Sequence, residues 1–180
     1  MTHKAQHPDF NLLWCQKLLS KPDIQQLERI NFTSKLAVNA MFERTLYNEA
    51  ANALRAQLSF RRPSKEPDAL KGTEECYLLS VGDGLDGMAG RAHGGFNSLV
   101  LDQLAGSCAH HTFPNPIPPA TATLSVEYKA PVSTPCVVLA RAWVTKIERR
   151  KIYVKAVIED GEGRVKAAGT ALFIAARQAL

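Results

Sequence analysis

The spacing of apolar residues changes period several times along the chain, and each change marks a predicted element. Asp9 reads as an N-cap ahead of Phe10, Leu12, Leu13, Trp14, Leu18 and Leu19, which approximate one helical stripe. Lys21-Pro22-Asp23 ends that helix, and Ile24, Leu27 and Ile30 form a second short stripe. Residues 1–35 are therefore expected to be a helical extension packed on a main domain of residues 36–180. Residues 36–62 fit helix and strand about equally, except that Leu54-Arg55-Ala56-Gln57-Leu58-Ser59-Phe60 alternates with period two and predicts a strand. Arg61-Arg62-Pro63-Ser64-Lys65-Glu66-Pro67, with two prolines and four charges, reads as an exposed loop.

Residues 76–81 predict a short strand that runs into a glycine-rich loop over 82–90. A helix follows from about Gly94 to His110, and the four prolines of residues 111–119 demand irregular chain. Four further strands are predicted over 121–129, 137–148, 151–159 and 165–175, in meander succession. Asp160-Gly161-Glu162-Gly163 supplies a hairpin turn, and Arg149-Arg150 a tighter one. One long helix with one antiparallel sheet is an α+β arrangement. A sheet of five to six strands curled around a single central helix, the hotdog fold, satisfies both hydrophobic inventories.

On a helical wheel, Phe96, Val100, Leu101, Leu104 and Cys108 form one broad apolar side. The opposite side carries Gly95, Ser98, Ala105, Gly106 and Ala109, with Leu99 at its edge and Asp102 in its middle. A carboxylate ringed by small and apolar groups is expected to be partly desolvated and more basic. Its bland reading is a structural hydrogen bond. Gly94-Gly95 opens the helix and leaves its first N–H groups uncovered, facing whatever lies ahead of the terminus. A carbonyl oxygen placed there would be polarised, and negative charge developing on it stabilised. His93 is expected to hold that turn by a side-chain hydrogen bond. Gly94 and Asp102 are eight residues apart, about 12 Å along a helix axis. One reacting group cannot touch both in one subunit, so joint action requires two chains with shared, two-fold related sites.

Composition adds exclusions. The net charge of +5 comes from dispersed Lys and Arg, with no nucleic-acid recognition motif beside them, and suits a small phosphorylated ligand. No apolar run approaches the ~20 residues of a membrane span. No secretory h-region stands at the N-terminus, so a cytoplasmic setting is expected, with the mitochondrion left open. Cys15, Cys76, Cys108 and Cys136 lack metal-knuckle or redox spacing and read as free buried thiols. His110-His111 suits the helix C-terminal dipole, and no third ligand accompanies it for a metal.

The stretch from Ala92-His93-Gly94-Gly95 through Leu101-Asp102 to Thr121-Ala122-Thr123-Leu124-Ser125-Val126-Glu127-Tyr128-Lys129-Ala130-Pro131-Val132 resembles the hotdog acyl-CoA thioesterases of the phenylacetate-pathway type in the thioesterase superfamily. The likeness covers roughly residues 76–176. It implies hydrolysis of an acyl thioester of coenzyme A or a carrier protein, in a homodimer that often pairs again. No separate cofactor is implied, because coenzyme A or phosphopantetheine belongs to the substrate. Gly94 would polarise the thioester carbonyl beside His93, and the partner's Asp102 would be general base or nucleophile. Thr121 would orient water beside that carboxylate, and strand alternation places it with Thr123, Ser125 and Glu127. Gly95 and Ser98 would line the substrate's path. Arg150 and Lys151 sit where relatives carry basic residues near the coenzyme A phosphates, and Arg61, Arg62 and Lys65 form a weaker candidate patch. Many relatives carry Asn or Gln six residues ahead of the His; here that place is Gly87, with Asp83 or Asp86 as substitutes or turn residues. A hotdog dehydratase or hydratase, and a non-catalytic acyl-ligand binder, stay open as alternatives.

Overall fold

A computed structural model describes residues 7–27, 40–48 and 50–177. Helix α1 (Leu13–Leu19) and strands β1 (Gln25–Gln26), β2 (Leu54–Pro63) and β3 (Thr73–Val81) come first. A small hairpin, β4 (Asp86–Met88) and β5 (Arg91–Ala92), leads into helix α2 (Gly94–Thr112). Strands β6 (Ala120–Tyr128), β7 (Cys136–Glu148), β8 (Lys151–Glu159) and β9 (Val165–Ile174) complete the chain.

All strands but the small hairpin join one antiparallel sheet in the order β1-β2-β3-β7-β8-β9-β6. The expected α+β hotdog architecture is present, with α2 lying across the sheet. The four late strands are not a simple meander. Among the described residues β6 pairs only with β9, and the chain then crosses to place β7 beside β3. The inner face of the sheet closes on Phe96, Val100, Leu101, Leu104 and Cys108 of α2, all nearly solvent-free. Ala105 and Ala109, expected on the helix's open side, are also fully buried against the sheet. The sheet wraps farther around α2 than a single apolar stripe predicts.

The outer face is covered by the N-terminal segment. Phe10, Cys15 and Leu18 pack on Phe60, Cys76, Leu78 and Leu139, with Trp14 and Ile24 beside them. β3 is consequently buried on both faces beyond its first residue, which explains the apolar stretch Cys76-Tyr77-Leu78-Leu79 at its centre. The N-terminal elements differ from the expected two helices. Pro8–Asn11 is a separate 3₁₀ turn capped by His7, and α1 starts only at Leu13. Asp9 is not the N-cap of α1. Its carboxylate accepts a hydrogen bond from Ser80 at 2.5 Å and pairs with Arg55 at 3.1 Å, pinning the segment to the sheet. Leu12 and Leu13 point to solvent, Leu13 at 90% exposure. Ile24 and Leu27 flank a strand, because β1 extends the edge of β2; Ile30 and the stretch to residue 35 lie outside the described residues.

Arg61-Arg62-Pro63 is also strand, paired with Thr73, Glu74 and Glu75 of β3. The Arg62 charge fits the ladder because it is matched. Arg62 bonds buried Glu74 at 2.7 Å, and Arg141 of β7 bridges Glu74, Glu66 and Glu159 at 2.7–3.0 Å. The turn between β2 and β3 folds over this network. Asp68 there accepts from Trp143 Nε1 at 2.8 Å and from Lys155 at 2.6 Å.

The β8–β9 hairpin is held by Asp160, whose carboxylate accepts from the N–H groups of Glu162 and Arg164, from the Arg164 side chain and from Lys166. Burial alone would push this carboxyl up, but the Lys166 and Arg164 hydrogen bonds hold it well below the usual carboxylate range. A depressed folded-state value stabilises the protein above the unfolded value of 3.8, and that contribution is lost as pH falls below it. Thermal melting across this acid range should show a steeper loss of stability for wild type than for Asp160→Asn. Equal slopes would dismiss the contribution.

Candidate active site

The start of α2 is a tight, fully determined turn. His93 is its N-cap: Nδ1 accepts the Gly95 N–H at 2.8 Å, so a neutral ring carries its proton on Nε2. The His93 carbonyl accepts from the N–H groups of Phe96 and Asn97, at 3.0 and 3.3 Å. Among the described residues none accepts the Gly94 N–H. That N–H shares its peptide unit with the twice-bonded His93 carbonyl, which polarises it further. An uncommitted, polarised donor at a helix N-terminus suits a carbonyl oxygen that gains negative charge. Sequence reading expected both the donor and the His93 bond.

Gly94 lies against the hydroxyl-bearing edge of the Tyr128 ring, whose Cε1 would be 3.3 Å from a Cβ built there. The Tyr128 hydroxyl meets Ser98 Oγ at 2.5 Å, and Ser98 bonds the Gly94 carbonyl at 3.3 Å. Ser98 and the glycines therefore share one surface, and Gly95 is exposed beside them. From the sequence Tyr128 enters only in the Tyr-Lys-x-Pro end of the family resemblance, with no role of its own, and Asn97 does not enter at all. Asn97 is buried in the first turn of α2, and its Oδ1 has no hydrogen-bond partner among the described residues. Nothing in the residue pattern distinguishes these two from ordinary strand and helix positions.

Asp102, two turns along α2, is half-buried and accepts a hydrogen bond from Thr121 Oγ1 at 2.9 Å. The two expected residues are thus brought together. Simple alternation predicts Thr121 on the face of Thr123, Ser125 and Glu127, but in the fold it lies on the opposite face. The β6–β9 register shifts between Thr121 and Thr123, so an extra residue reverses the parity. Thr121 consequently faces α2, as do Leu124 and Val126, which pack on the inner core.

The loop ahead of His93 explains Gly87. A Cβ there would be 2.7 Å from the His93 ring and 3.1 Å from its Cα. Asp86 and Asp83 do not substitute for an amide. Asp86 accepts from Thr134 and from the Gly90 N–H, and Asp83 from Asn52, so both are turn residues. Restoring an amide with Gly87→Asn should displace His93, uncap Gly95 and lower any activity that uses Gly94 by tenfold or more, on the order of one lost preorganised donor. Comparison of the variant's kcat/KM with wild type checks this, and an unchanged or raised value would refute it.

The basic hairpin stands at the Asp102 end. Lys151 pairs with Ile174, which pairs on its other side with Ala120 next to Thr121. Arg150 spends one guanidinium nitrogen on the Ala175 carbonyl at 3.0 Å, and Arg149 makes the turn at φ +55°. Arg62, by contrast, is committed to Glu74 and does not form a surface patch with Arg61 and Lys65. At the other end of α2, His111 does more than meet the helix dipole. Its Nδ1 lies 2.9 Å from Glu75, a fully buried carboxylate that also accepts from Ser107. This joins α2 to β3. Three cysteines are buried and Cys136 partly so, and all four are free. Burial pushes the Cys15 and Cys136 thiols up to about 11, Cys108 to about 12 and Cys76 higher still, so none is a thiolate nucleophile at neutral pH.

Residues 89–167 match the model of the thioesterase superfamily. Among curated proteins the chain is 38% identical over 98 residues to acyl-coenzyme A thioesterase THEM4 of Rattus norvegicus, covering 54% of this chain and 41% of that protein. It is 34% identical to the Xenopus laevis protein of the same name, covering 54% and 43%. The matched stretch is therefore less than half the length of these relatives. Among solved structures, a thioesterase superfamily protein aligns at TM-score 0.54 and 20% identity, over 66% of this chain and 55% of that one. A Streptococcus mutans protein bound to acetyl CoA aligns at TM-score 0.53 and 19% identity, over 59% and 84%. A Bacillus halodurans protein determined with CoA aligns at 0.51 and 22%, over 55% and 65%. These likenesses establish the fold. No helix among the described residues is long and apolar enough to cross a membrane.

Proposed function

We propose, for a chain whose residues 89–167 match the model of the thioesterase superfamily, that it hydrolyses an acyl thioester to a carboxylic acid and a thiol. One observation carries the reading: a single helix holds the uncommitted Gly94 N–H at its start and the Thr121-bonded Asp102 carboxylate two turns on. The thioester carbonyl would sit on Gly94, with His93 fixing the turn and Gly95 and Ser98 lining the approach. Asp102, acting as general base, would take a proton from water as the oxygen attacks the carbonyl carbon. The C–S bond then breaks from the tetrahedral intermediate, and the thiolate leaves and is reprotonated. In the alternative route the carboxylate itself attacks and water opens the resulting anhydride. Thr121 would orient the water or carboxylate.

The separation of Gly94 and Asp102 supports a homodimer in which each site takes Gly94 from one subunit and Asp102 from the other. β6 is an edge strand with exposed residues over most of its length, consistent with a covered face in a dimer. The relatives' names favour coenzyme A as the thiol. Arg150 and Lys151, at the Asp102 end, are the groups suited to its phosphates.

A hydratase reading needs a free imidazole as base, and the Nδ1 of His93 is already occupied. The test is thiol release from a panel of acyl-CoA and acyl-carrier thioesters, with enoyl formation followed in parallel. The four thiols are buried or partly buried and protonated at neutral pH, so a thiol reagent reports the released product above a small background. Enoyl formation without thiol, or neither product from any thioester, would overturn hydrolysis.

A further inference from the structure

We infer that Tyr128 is a positioning residue for the carbonyl bound at Gly94, its ring forming one wall of that seat and its hydroxyl anchored on Ser98. The inference takes from the hydrolysis reading only that a carbonyl occupies Gly94. Tyr128 closes β6, the same strand that carries Thr121, so one strand touches both halves of the site: Thr121 on Asp102 and Tyr128 on Gly94.

The ring is 56% exposed, yet it is held at two points. Because Ser98 donates to the Gly94 carbonyl, the Tyr128 hydroxyl donates to Ser98, giving the chain Tyr128 to Ser98 to Gly94. The ring edge meanwhile packs on the Gly94 backbone so closely that a Cβ there would have to push it aside. A surface aromatic normally needs neither restraint. Both restraints converge on Gly94, the residue whose N–H is uncommitted, and they leave a fixed aromatic wall beside it. Such a wall limits where a planar thioester can lie once its oxygen meets the N–H. It also removes water from one side of that bond, which strengthens it. A fixed wall selects for bound geometry at low entropic cost, because the ring is ordered before the ligand arrives.

The test uses Tyr128→Phe, Tyr128→Ala, Ser98→Ala and the Tyr128→Phe/Ser98→Ala double variant, each checked for an unchanged melting profile. Two readouts are needed: kcat and KM for an acyl-CoA, and the Kd of a 2-oxoalkyl thioether of coenzyme A, which carries a carbonyl but no thioester bond. Tyr128→Ala should raise KM and Kd by about tenfold or more with kcat little changed, the pattern of lost binding shared by ground and transition states. Tyr128→Phe and Ser98→Ala should each raise both by about 2- to 10-fold, the worth of one hydrogen bond, and the double variant should be no worse than either. Unchanged KM and Kd in Tyr128→Ala would overturn the inference. So would a fall in kcat and melting temperature with KM and Kd unmoved, the mark of a purely structural tyrosine. If wild type releases no thiol but Kd still depends on Tyr128, the wall stands and hydrolysis falls. If thiol release is intact and Kd ignores Tyr128, hydrolysis stands and the wall falls.

Discussion

Asp102→Ala is expected to lower kcat for thiol release by about 10²- to 10⁴-fold, the usual worth of a positioned general base, with folding unaffected. The carboxylate is half-buried and Thr121 is exposed, so truncation strands no buried partner. Asp102→Asn should lose nearly as much, because an amide retains the Thr121 hydrogen bond but cannot accept a proton. Thr121→Ala should cost less than Asp102→Ala, since it removes orientation and leaves the carboxylate. The shared-site geometry adds a sharper outcome. Mixing Asp102→Ala chains with chains impaired at Gly94 should regenerate activity, because half of the sites in a mixed dimer pair an intact Gly94 with an intact Asp102. Steady-state thiol release from purified mixed dimers measures this. Failure to recover activity would place both groups in one subunit, or remove one of them from the reaction.

Most of what frames this site was readable from local patterns. The predicted bounds of α2, β7, β8 and β9 fall within two residues of those observed, because each carries several turns or alternations of its own period. The His93 bond and the Asp102–Thr121 pairing were expected as well. What escaped has a common cause, namely partners distant in sequence. Arg61-Arg62-Pro63 looked like loop because charge and proline were counted locally; in the fold Arg62 answers Glu74 across the ladder. Thr121 was assigned to the wrong face because the irregularity at Ala122 carries no glycine or other mark. The N-terminal stripe was read as continuous helix, whereas Asp9 is drawn away to Arg55 and Ser80 and the chain turns before Leu13. The tie between Tyr128 and Ser98 joins residues thirty positions apart, and no local period reports it.

The same long-range charge matching makes Arg141→Met the substitution with the largest expected effect on stability. Arg141, its side chain 12% exposed, lies beneath the β2–β3 turn and donates to Glu66, Glu74 and Glu159. Burial alone would disfavour its charge, but Glu159 and Glu74 hold the guanidinium firmly protonated, so it is a fixed cation at every working pH. Without it, Glu74 keeps Arg62, Ser64 and the weakly donating Cys76 thiol in a site almost closed to water. Removing one partner of a buried ionic network costs about 3–5 kcal/mol, because the remaining charge keeps its desolvation penalty. At about 2–4 °C per kcal/mol for a chain of this size, melting should fall by roughly 6–20 °C. Arg141→Lys should recover only part of that, since one ammonium cannot present the planar fork that reaches three carboxylates. The network lies on the outer face of the sheet, away from α2, so kcat well below the melting range should be nearly unchanged. A melting shift of a degree or two would show that the network is weakly coupled to folding. A large fall in kcat at low temperature would instead tie the outer face to the geometry of α2.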